Sequence, residues 1–182
     1  ESTSDGNARL VLVGDIHLLA ERAAMIGAPV RFVPFDPDNI PQAGMAEVWH
    51  TPLYVPSEPG RLAVENARYV LDTLDTAIHA CLEKRVDAVV TAPVHKGIIN
   101  ESGVSFSGHT EYLAEKSGVP LVVMMLVGGG LRVALVTTHL PLNAVSAAIT
   151  ETRIVDTLNI LDADLKRRFG IEQPRILVTG LN

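Results

Sequence analysis

The sequence predicts an α/β protein, because short β-branched runs alternate with segments of helical periodicity along its first half. Hydrophobic residues make up 47% of the 182 residues and aromatic residues only 4%, so the core of such a fold must be aliphatic. A chain of this length forms one large domain or two small ones, and it can bury a sizeable core.

The charge and the cysteine content narrow the class of protein. A net charge of -6 argues against nucleic acid or an anionic membrane as the partner. Cys81 is the single cysteine, which leaves no internal disulfide framework or thiolate zinc cage and indicates a reducing compartment. The longest apolar run, residues 119–127, is too short to span a bilayer. No secretory signal is visible. We therefore expect a cytoplasmic protein without a membrane or nucleic-acid partner.

The first strand and helix are marked by residues at their boundaries. Residues 9–14 form a short β-branched run, and a helical pattern follows from about Ile16 to Ile26. Asp15 suits the N-cap of this helix, and Gly27 suits a left-handed residue that ends it.

Two more strands and a long helix follow. Residues 30–35 predict the second strand. Residues 48–55 predict the third, which we expect at a sheet edge because Pro52 cannot donate a ladder hydrogen bond. Between Arg61 and Arg85, apolar residues recur at the spacing of a helix that packs one stripe on a core. The stripe consists of Ala67, Val70, Leu71, Leu74, Ala77, Ile78, Cys81 and Leu82.

Three histidines and the cysteine have ordinary structural explanations. His17, His50 and His79 lack partners at ligand spacing or fall outside apolar stripes, so we expect them at the surface. Cys81 lies on the stripe, where a packed thiol is the simplest interpretation.

The pairing pattern changes in the second half. Two apolar runs, residues 121–127 and 131–138, are joined by Gly128–Gly130, which predicts an antiparallel hairpin and mixed sheets overall. We therefore predict a first α/β domain over residues 1–102 and a second over 103–182. The aliphatic hairpin of the second domain is a candidate dimer interface.

Two helices and a last strand complete the second half. Residues 111–116 predict a short helix that ends at Gly118, and a longer helix ends at Gly170. The apolar face of the longer helix consists of Ile154, Leu158, Leu161, Leu165 and Phe169. Residues 175–179 predict the last strand.

The candidate functional site is the loop of residues 91–110. It follows a predicted buried strand, residues 86–90, and ligands of open α/β sheets bind at the carboxyl ends of strands. His109 and Thr110 lie at the predicted start of a helix, where free N–H groups and the helix dipole favour a phosphate or a carboxylate. The alternative is an ordinary connection with solvated polar residues.

His139 is a second candidate, because it ends the second run of the hairpin. Two histidines far apart in sequence, on separate loops, are compatible with a metal site. A lone histidine in this position can equally be a hydrogen-bonded structural residue. The sequence contains no Walker motif, Gly-x-Gly-x-x-Gly fingerprint or Gly-x-Ser-x-Gly elbow.

Several strings of the sequence together resemble the 4-hydroxythreonine-4-phosphate dehydrogenase family over essentially the whole chain. The strings are Leu62-Ala-Val-Glu-Asn66, Ala92-Pro-Val-His-Lys-Gly97, Ser107-Gly-His-Thr-Glu111, Val123-Met-Met-Leu126, Thr137-Thr-His-Leu-Pro-Leu142 and Pro174-Arg-Ile-Leu-Val-Thr-Gly-Leu-Asn182. The resemblance implies the two-domain fold of the isocitrate and isopropylmalate dehydrogenases. It also implies a homodimer with metal and substrate held near the subunit interface.

The resemblance further implies an oxidoreductase of pyridoxal phosphate biosynthesis. In this reaction NAD (or NADP), with a divalent metal (zinc, magnesium or cobalt), oxidises 4-phosphooxy-L-threonine to a 3-oxo acid. That acid then decarboxylates to 3-amino-2-oxopropyl phosphate. Two alternatives remain open: the same chemistry on a threonate or erythronate phosphate or a dihydrodiol, and a non-catalytic ligand-binding module.

Site roles carry over by resemblance at three positions. The substrate-binding His-Thr pair of the family falls on His109 and Thr110, and one of its three metal-binding histidines falls on His139. The resemblance identifies no general base; His95 and Lys96 are candidates for a supporting or a structural role. The family's glycine- and proline-rich opening, its remaining ligands and its cofactor segment are missing. We therefore expect a chain incomplete at both ends and inactive alone.

Overall fold

The computed structural model describes residues 8–39 and 42–181, in two compact units. Of these residues, those up to Gly118 form the first unit and those from Val119 onwards form the second. Both units combine helices with strands, so the α/β class is confirmed. Among the described residues, no helix has the length and apolar character needed to cross a membrane.

The described residues of the first unit form a three-stranded sheet and four α-helices. Its elements are β1 (Val11–Gly14), α1 (Ile16–Met25), β2 (Arg31–Pro34), β3 (Met45–His50), a 3-10 turn (Val64–Asn66), α2 (Ala67–Leu82), α3 (Lys96–Glu101) and α4 (His109–Ser117). The predicted boundaries of α1 are confirmed. Asp15 Oδ1 accepts hydrogen bonds from the N–H groups of His17 (2.9 Å) and Leu18 (3.0 Å), and Gly27 is left-handed with φ 67°.

The sheet is parallel, with the order β1-β3-β2. The prediction that the third strand lies at an edge is therefore wrong. β3 ends at His50, before Pro52, so the proline lies outside the ladder and does not prevent pairing on both sides. Val13 pairs with Trp49 on one side of β3, and Val33 pairs with Glu47 on the other.

The stripe of α2 forms the core of the first unit, as its spacing predicted. Its buried residues pack with Ile99 of α3 and with Phe106; they are Ala67, Leu71, Leu74 and Ile78. Residues 103–118 thus pack within the first unit. The division into domains at residues 102 and 103 stays a prediction for the whole protein.

The second unit begins with the predicted hairpin. Its elements are β4 (Met124–Gly128), β5 (Leu131–Leu135), α5 (Leu142–Ala148) and α6 (Glu151–Phe169). The two strands are antiparallel, and the turn residues Gly129 and Gly130 have φ of 56° and 82°. Gly170 ends α6 in the left-handed conformation, as predicted.

Two predicted strands are absent from the described chain. Residues 86–90 and 175–179 have no regular secondary structure, with Val90 92% and Leu177 88% exposed. An apolar run becomes a strand only when its backbone pairs with a neighbour. Neither segment has a ladder partner within residues 8–39 and 42–181.

The histidines assigned to the surface are exposed, as predicted: His17, His50 and His79. Cys81 is half-buried. Burial raises the pKa of its thiol, and Asp87 raises it further. This cysteine is therefore a packed thiol and not an activated nucleophile.

Candidate functional site

The N-terminus of α4 presents free backbone donors at the two residues predicted to bind substrate. The helix begins at His109, two residues earlier than predicted, and its first turn includes Thr110. Gly108 precedes it in an extended conformation and supplies no side-chain cap. The first hydrogen bond of the helix runs from Tyr112 N–H to Gly108 O (3.1 Å). The preceding N–H groups thus remain available to an anion.

Two buried side-chain atoms in this turn have no hydrogen-bond partner among the residues that the structure describes: Nε2 of His109 and Oε2 of Glu111. The His109 ring also contacts the Phe106 ring edge-on, with 6.1 Å between centroids. Buried polar atoms without partners are costly, so we expect water or a ligand to hydrogen-bond these two atoms.

Lys96 lies beside the same turn. A Cβ atom added to Gly108 would lie 3.2 Å from Lys96 Nζ and 3.0 Å from Glu111 Oε2. A side chain at position 108 would therefore require both of these side-chain ends to shift by a few tenths of an ångström. The turn is thus lined by an ammonium, a carboxylate and an imidazole.

The sequence did not reveal α3, the helix that carries Lys96. His95 caps it, since its Nδ1 accepts a hydrogen bond from Ile98 N–H (3.1 Å), so His95 has a structural role. Gly103, with φ 88°, follows the end of α3. A glycine soon after a short apolar segment is the signal that could have predicted this helix.

Asp75 of α2 holds α4 in place. Tyr112 Oη donates to Asp75 Oδ1 (2.6 Å), and Lys116 Nζ donates to Asp75 Oδ2 (3.0 Å). Burial, together with the hydrogen bond to Asp75, raises the pKa of Tyr112 to about 12, so its hydroxyl stays protonated and continues to donate. Asp75 lies outside the apolar stripe of α2, so the periodicity of the sequence gave no sign of this role.

His139 belongs to the second unit, where it follows β5. Its backbone is left-handed (φ 55°) and its side chain is exposed. Arg153 Nε donates to Val136 O (2.7 Å), just before this segment. An exposed imidazole fits one position of a metal site. Among the described ranges 8–39 and 42–181, no three His, Cys, Asp or Glu side chains come together to complete one.

Two surface grooves of the first unit lie away from these residues. One, of about 520 Å³, is lined by α1 and β2. The other, of about 550 Å³, runs along α2 beside Trp49. Neither includes His109 or Thr110, so the candidate site rests on α4 itself.

Comparison with known proteins identifies relatives for nearly the whole chain. Residues 6–182 match the family model of the pyridoxal phosphate biosynthetic protein PdxA. A curated relative from Azoarcus sp., named 4-hydroxythreonine-4-phosphate dehydrogenase, is 60% identical over 178 residues, covering 98% of this chain and 54% of its own. A relative of the same name from Aromatoleum aromaticum is 58% identical over 181 residues, covering 100% and 55%.

Solved structures are also similar. The crystal structure of a 4-hydroxythreonine-4-phosphate dehydrogenase from Klebsiella pneumoniae aligns with a TM-score of 0.88 at 29% identity, covering all of this chain and 57% of its own. One from Burkholderia phymatum aligns with a TM-score of 0.84 at 27% identity, covering 96% and 54%. The chain thus spans about half the length of the relatives it matches.

Proposed function

The chain belongs to the family of the pyridoxal phosphate biosynthetic protein PdxA, and from this premise we propose that the whole protein is a metal- and NAD-dependent dehydrogenase. Its substrate is 4-phosphooxy-L-threonine. Oxidation gives a 3-oxo acid, which decarboxylates to 3-amino-2-oxopropyl phosphate. The proposal extends to a cytoplasmic homodimer. The support is the name shared by relatives that are 58–60% identical to this chain.

The observation that carries the substrate assignment is the open N-terminus of α4. His109 and Thr110 supply uncapped N–H groups, and Nε2 of His109 is buried with no partner in the described part of the chain. The helix dipole adds a favourable field for a phosphate. In this proposal the two residues bind and orient the phosphorylated substrate, so that its secondary alcohol is held in a fixed position for hydride transfer.

The reaction needs a proton acceptor and a hydride acceptor. The alcohol carbon loses a hydride to the nicotinamide and the hydroxyl loses a proton, which leaves a carbonyl. A divalent metal, with His139 as one ligand, would lower the pKa of that hydroxyl and stabilise the negative charge that develops on decarboxylation. A histidine ligand carries no negative charge, so the metal would keep its full positive charge. The described residues identify no general base.

Substitution of the two α4 residues in the full-length enzyme tests the proposal. We expect His109→Ala to raise KM or lower kcat about tenfold or more, since a charge-assisted hydrogen bond contributes about 1.5–3 kcal/mol. Thr110→Ala should act in the same direction. His79→Ala is the control, because His79 is exposed and its ring hydrogen-bonds the backbone of its own helix, α2. Unchanged kinetics in the His109→Ala, Thr110→Ala double variant would contradict the assignment.

A substrate panel tests the chemistry separately. The phosphorylated amino acid should be oxidised with a higher kcat/KM than threonate phosphate, erythronate phosphate or a dihydrodiol. A higher kcat/KM for one of these compounds would identify it as the substrate, with the same chemistry. No oxidation of any of them, by metal-loaded full-length protein, would indicate a non-catalytic module.

A further inference from the structure

The short helix α3 places Lys96 against the N-terminus of α4, and Asn100 fixes this arrangement. The Asn100 side chain donates to Lys96 O (2.8 Å) and to Phe106 O (3.0 Å), and it accepts from Phe106 N–H (3.0 Å). One amide therefore ties the first residue of α3 to the loop that leads into α4. These hydrogen bonds thus fix the backbone of Lys96 relative to the loop before α4.

The ammonium group of Lys96 has no protein partner within the described residues. Its Nζ donates no hydrogen bond and forms no ion pair there, even though Glu111 Oε2 lies close to the same point above Gly108. Its Nζ and Cε would lie 3.2 and 3.5 Å from a Cβ atom on Gly108. A charged group held this close to uncapped helix donors, without an acceptor, is available to a ligand.

We propose that Lys96 is a further substrate-binding residue, whose ammonium binds the substrate phosphate together with the first turn of α4. This inference rests on the proposed function and deepens it. A phosphate monoester carries nearly two negative charges at neutral pH, whereas the end of a helix supplies only about half a positive charge. The imidazole of His109 adds hydrogen bonding. Lys96 supplies the full positive charge that the phosphate still requires.

Gly108 has a defined part in this arrangement. Its φ of 161° is extended, so an alanine there meets no backbone restriction. The obstacle is space, because the new Cβ would press on Lys96 Nζ and Glu111 Oε2. Gly108→Ala should therefore shift the ammonium by a few tenths of an ångström relative to the helix end while leaving every charge in place.

The test compares Lys96→Met, Lys96→Arg and Gly108→Ala in the full-length enzyme. For Lys96→Met we expect KM for the phosphorylated substrate to rise about tenfold or more, with KM for NAD unchanged. The inhibition constant of inorganic phosphate should rise by a similar factor, because the same group binds it. Lys96→Arg, which keeps the charge, should recover most of the affinity. Gly108→Ala should raise both KM for the phosphorylated substrate and the inhibition constant of inorganic phosphate.

Lys166→Met is the matched control, since Lys166 pairs with Asp162 on the surface of α6. Thermal unfolding of each variant separates binding from folding. Because Lys96 Nζ has no described protein partner, the Tm of Lys96→Met should match that of the wild type.

The outcomes separate this inference from the proposed function. If His109→Ala weakens substrate binding and Lys96→Met does not, the α4 site stands and the role of Lys96 is refuted. An effect on substrate KM without one on phosphate inhibition would also refute it, because the lysine would then serve the carboxylate. If neither His109→Ala nor Lys96→Met changes KM, the phosphate site itself has been misplaced and both proposals fail.

Discussion

Single residues of this chain carry information that periodicity does not. His139 is a non-glycine residue with a left-handed backbone, a conformation that costs about 1–2 kcal/mol for most residues. Histidine tolerates it better than β-branched residues do. Strained positions cluster at functional sites, which agrees with the proposed role of His139 as a metal ligand.

The role of His139 as a metal ligand can be tested by substitution. In the full-length enzyme, His139→Ala should abolish retention of zinc after dialysis and abolish NAD reduction, because about three protein ligands are needed at a catalytic zinc. The 182-residue chain alone should retain zinc weakly. Metal analysis of the dialysed proteins measures both, with His79→Ala as the control. Stoichiometric zinc on the 182-residue chain, or an active His139→Ala enzyme, would contradict the assignment of His139 as one ligand of an incomplete site.

Glu47 forms a partly buried ion pair with Arg9, which the periodicity of the sequence also does not predict. Its side chain is 2% exposed on the central strand β3, and both its oxygens accept from Arg9, at 2.6 Å each. Arg9 also donates to the carbonyl oxygens of Asp36, Pro37 and Asn39. The pair thus anchors residues 36–39, which follow β2. The hydrogen bond from Arg9 lowers the pKa of Glu47 and outweighs the opposing effect of burial.

A depressed carboxyl pKa makes the stability of the first unit depend on pH. The ionised Glu47, paired with Arg9, stabilises the folded state fully above the ordinary glutamate pKa of 4.5. This stabilisation is lost as the pH falls through the lower pKa that Glu47 has in the folded state. At pH 7, Glu47→Gln should reduce the free energy of unfolding by about 1.5–3 kcal/mol. Denaturant unfolding should show this difference shrinking below about pH 4.5. A difference that stays constant into strong acid would contradict the assignment.

At the scale of elements, the hairpin of β4 and β5 depends on its two-residue turn. Gly129 and Gly130 both have positive φ, as a turn compatible with the strand twist requires. Gly130→Ala should destabilise the protein by about 1–2 kcal/mol, because Cβ crowds the backbone in this region. Thermal or denaturant unfolding measures the loss.

Gly128→Ala is the matched control for this prediction. Gly128 is the last residue of β4, it is not among the positive-φ glycines, and an added Cβ would meet open space. The control should be nearly neutral. Equal effects at positions 128 and 130 would mean that turn conformation does not limit the stability of the hairpin.

At the scale of the whole molecule, apolar surface remains to be covered. Large apolar side chains of the hairpin are exposed, including Leu131 at 70% and Val127 at 59%. Contiguous apolar surface normally marks an interaction surface. We expect a second copy of the protein to cover it, since the proposed enzyme is a homodimer.

Light scattering of the full-length protein at micromolar concentration tests the dimer. The wild type should have the mass of two subunits, and Leu131→Asp should shift it towards one, because a charge in an apolar interface is costly. Leu62→Asp is the control, as Leu62 is also exposed but lies in the first unit. A strictly monomeric wild type would exclude this role for the hairpin.

The sequence by itself determined the features that depend on local chemistry. The N-cap Asp15, the left-handed glycines at positions 27, 118 and 170, the stripe of α2 and the hairpin turn all lie where the sequence predicted them. Each follows from a side chain acting on its own backbone or from a simple period.

Only the tertiary structure decided which segments pair and which side chains meet. The central place of β3 and the absence of strands at residues 86–90 and 175–179 depend on neighbours distant in sequence. The clamp of Asp75 on Tyr112 and the approach of Lys96 to Gly108 likewise join residues from different helices. No periodicity encodes such contacts, because they arise when several elements pack on one core.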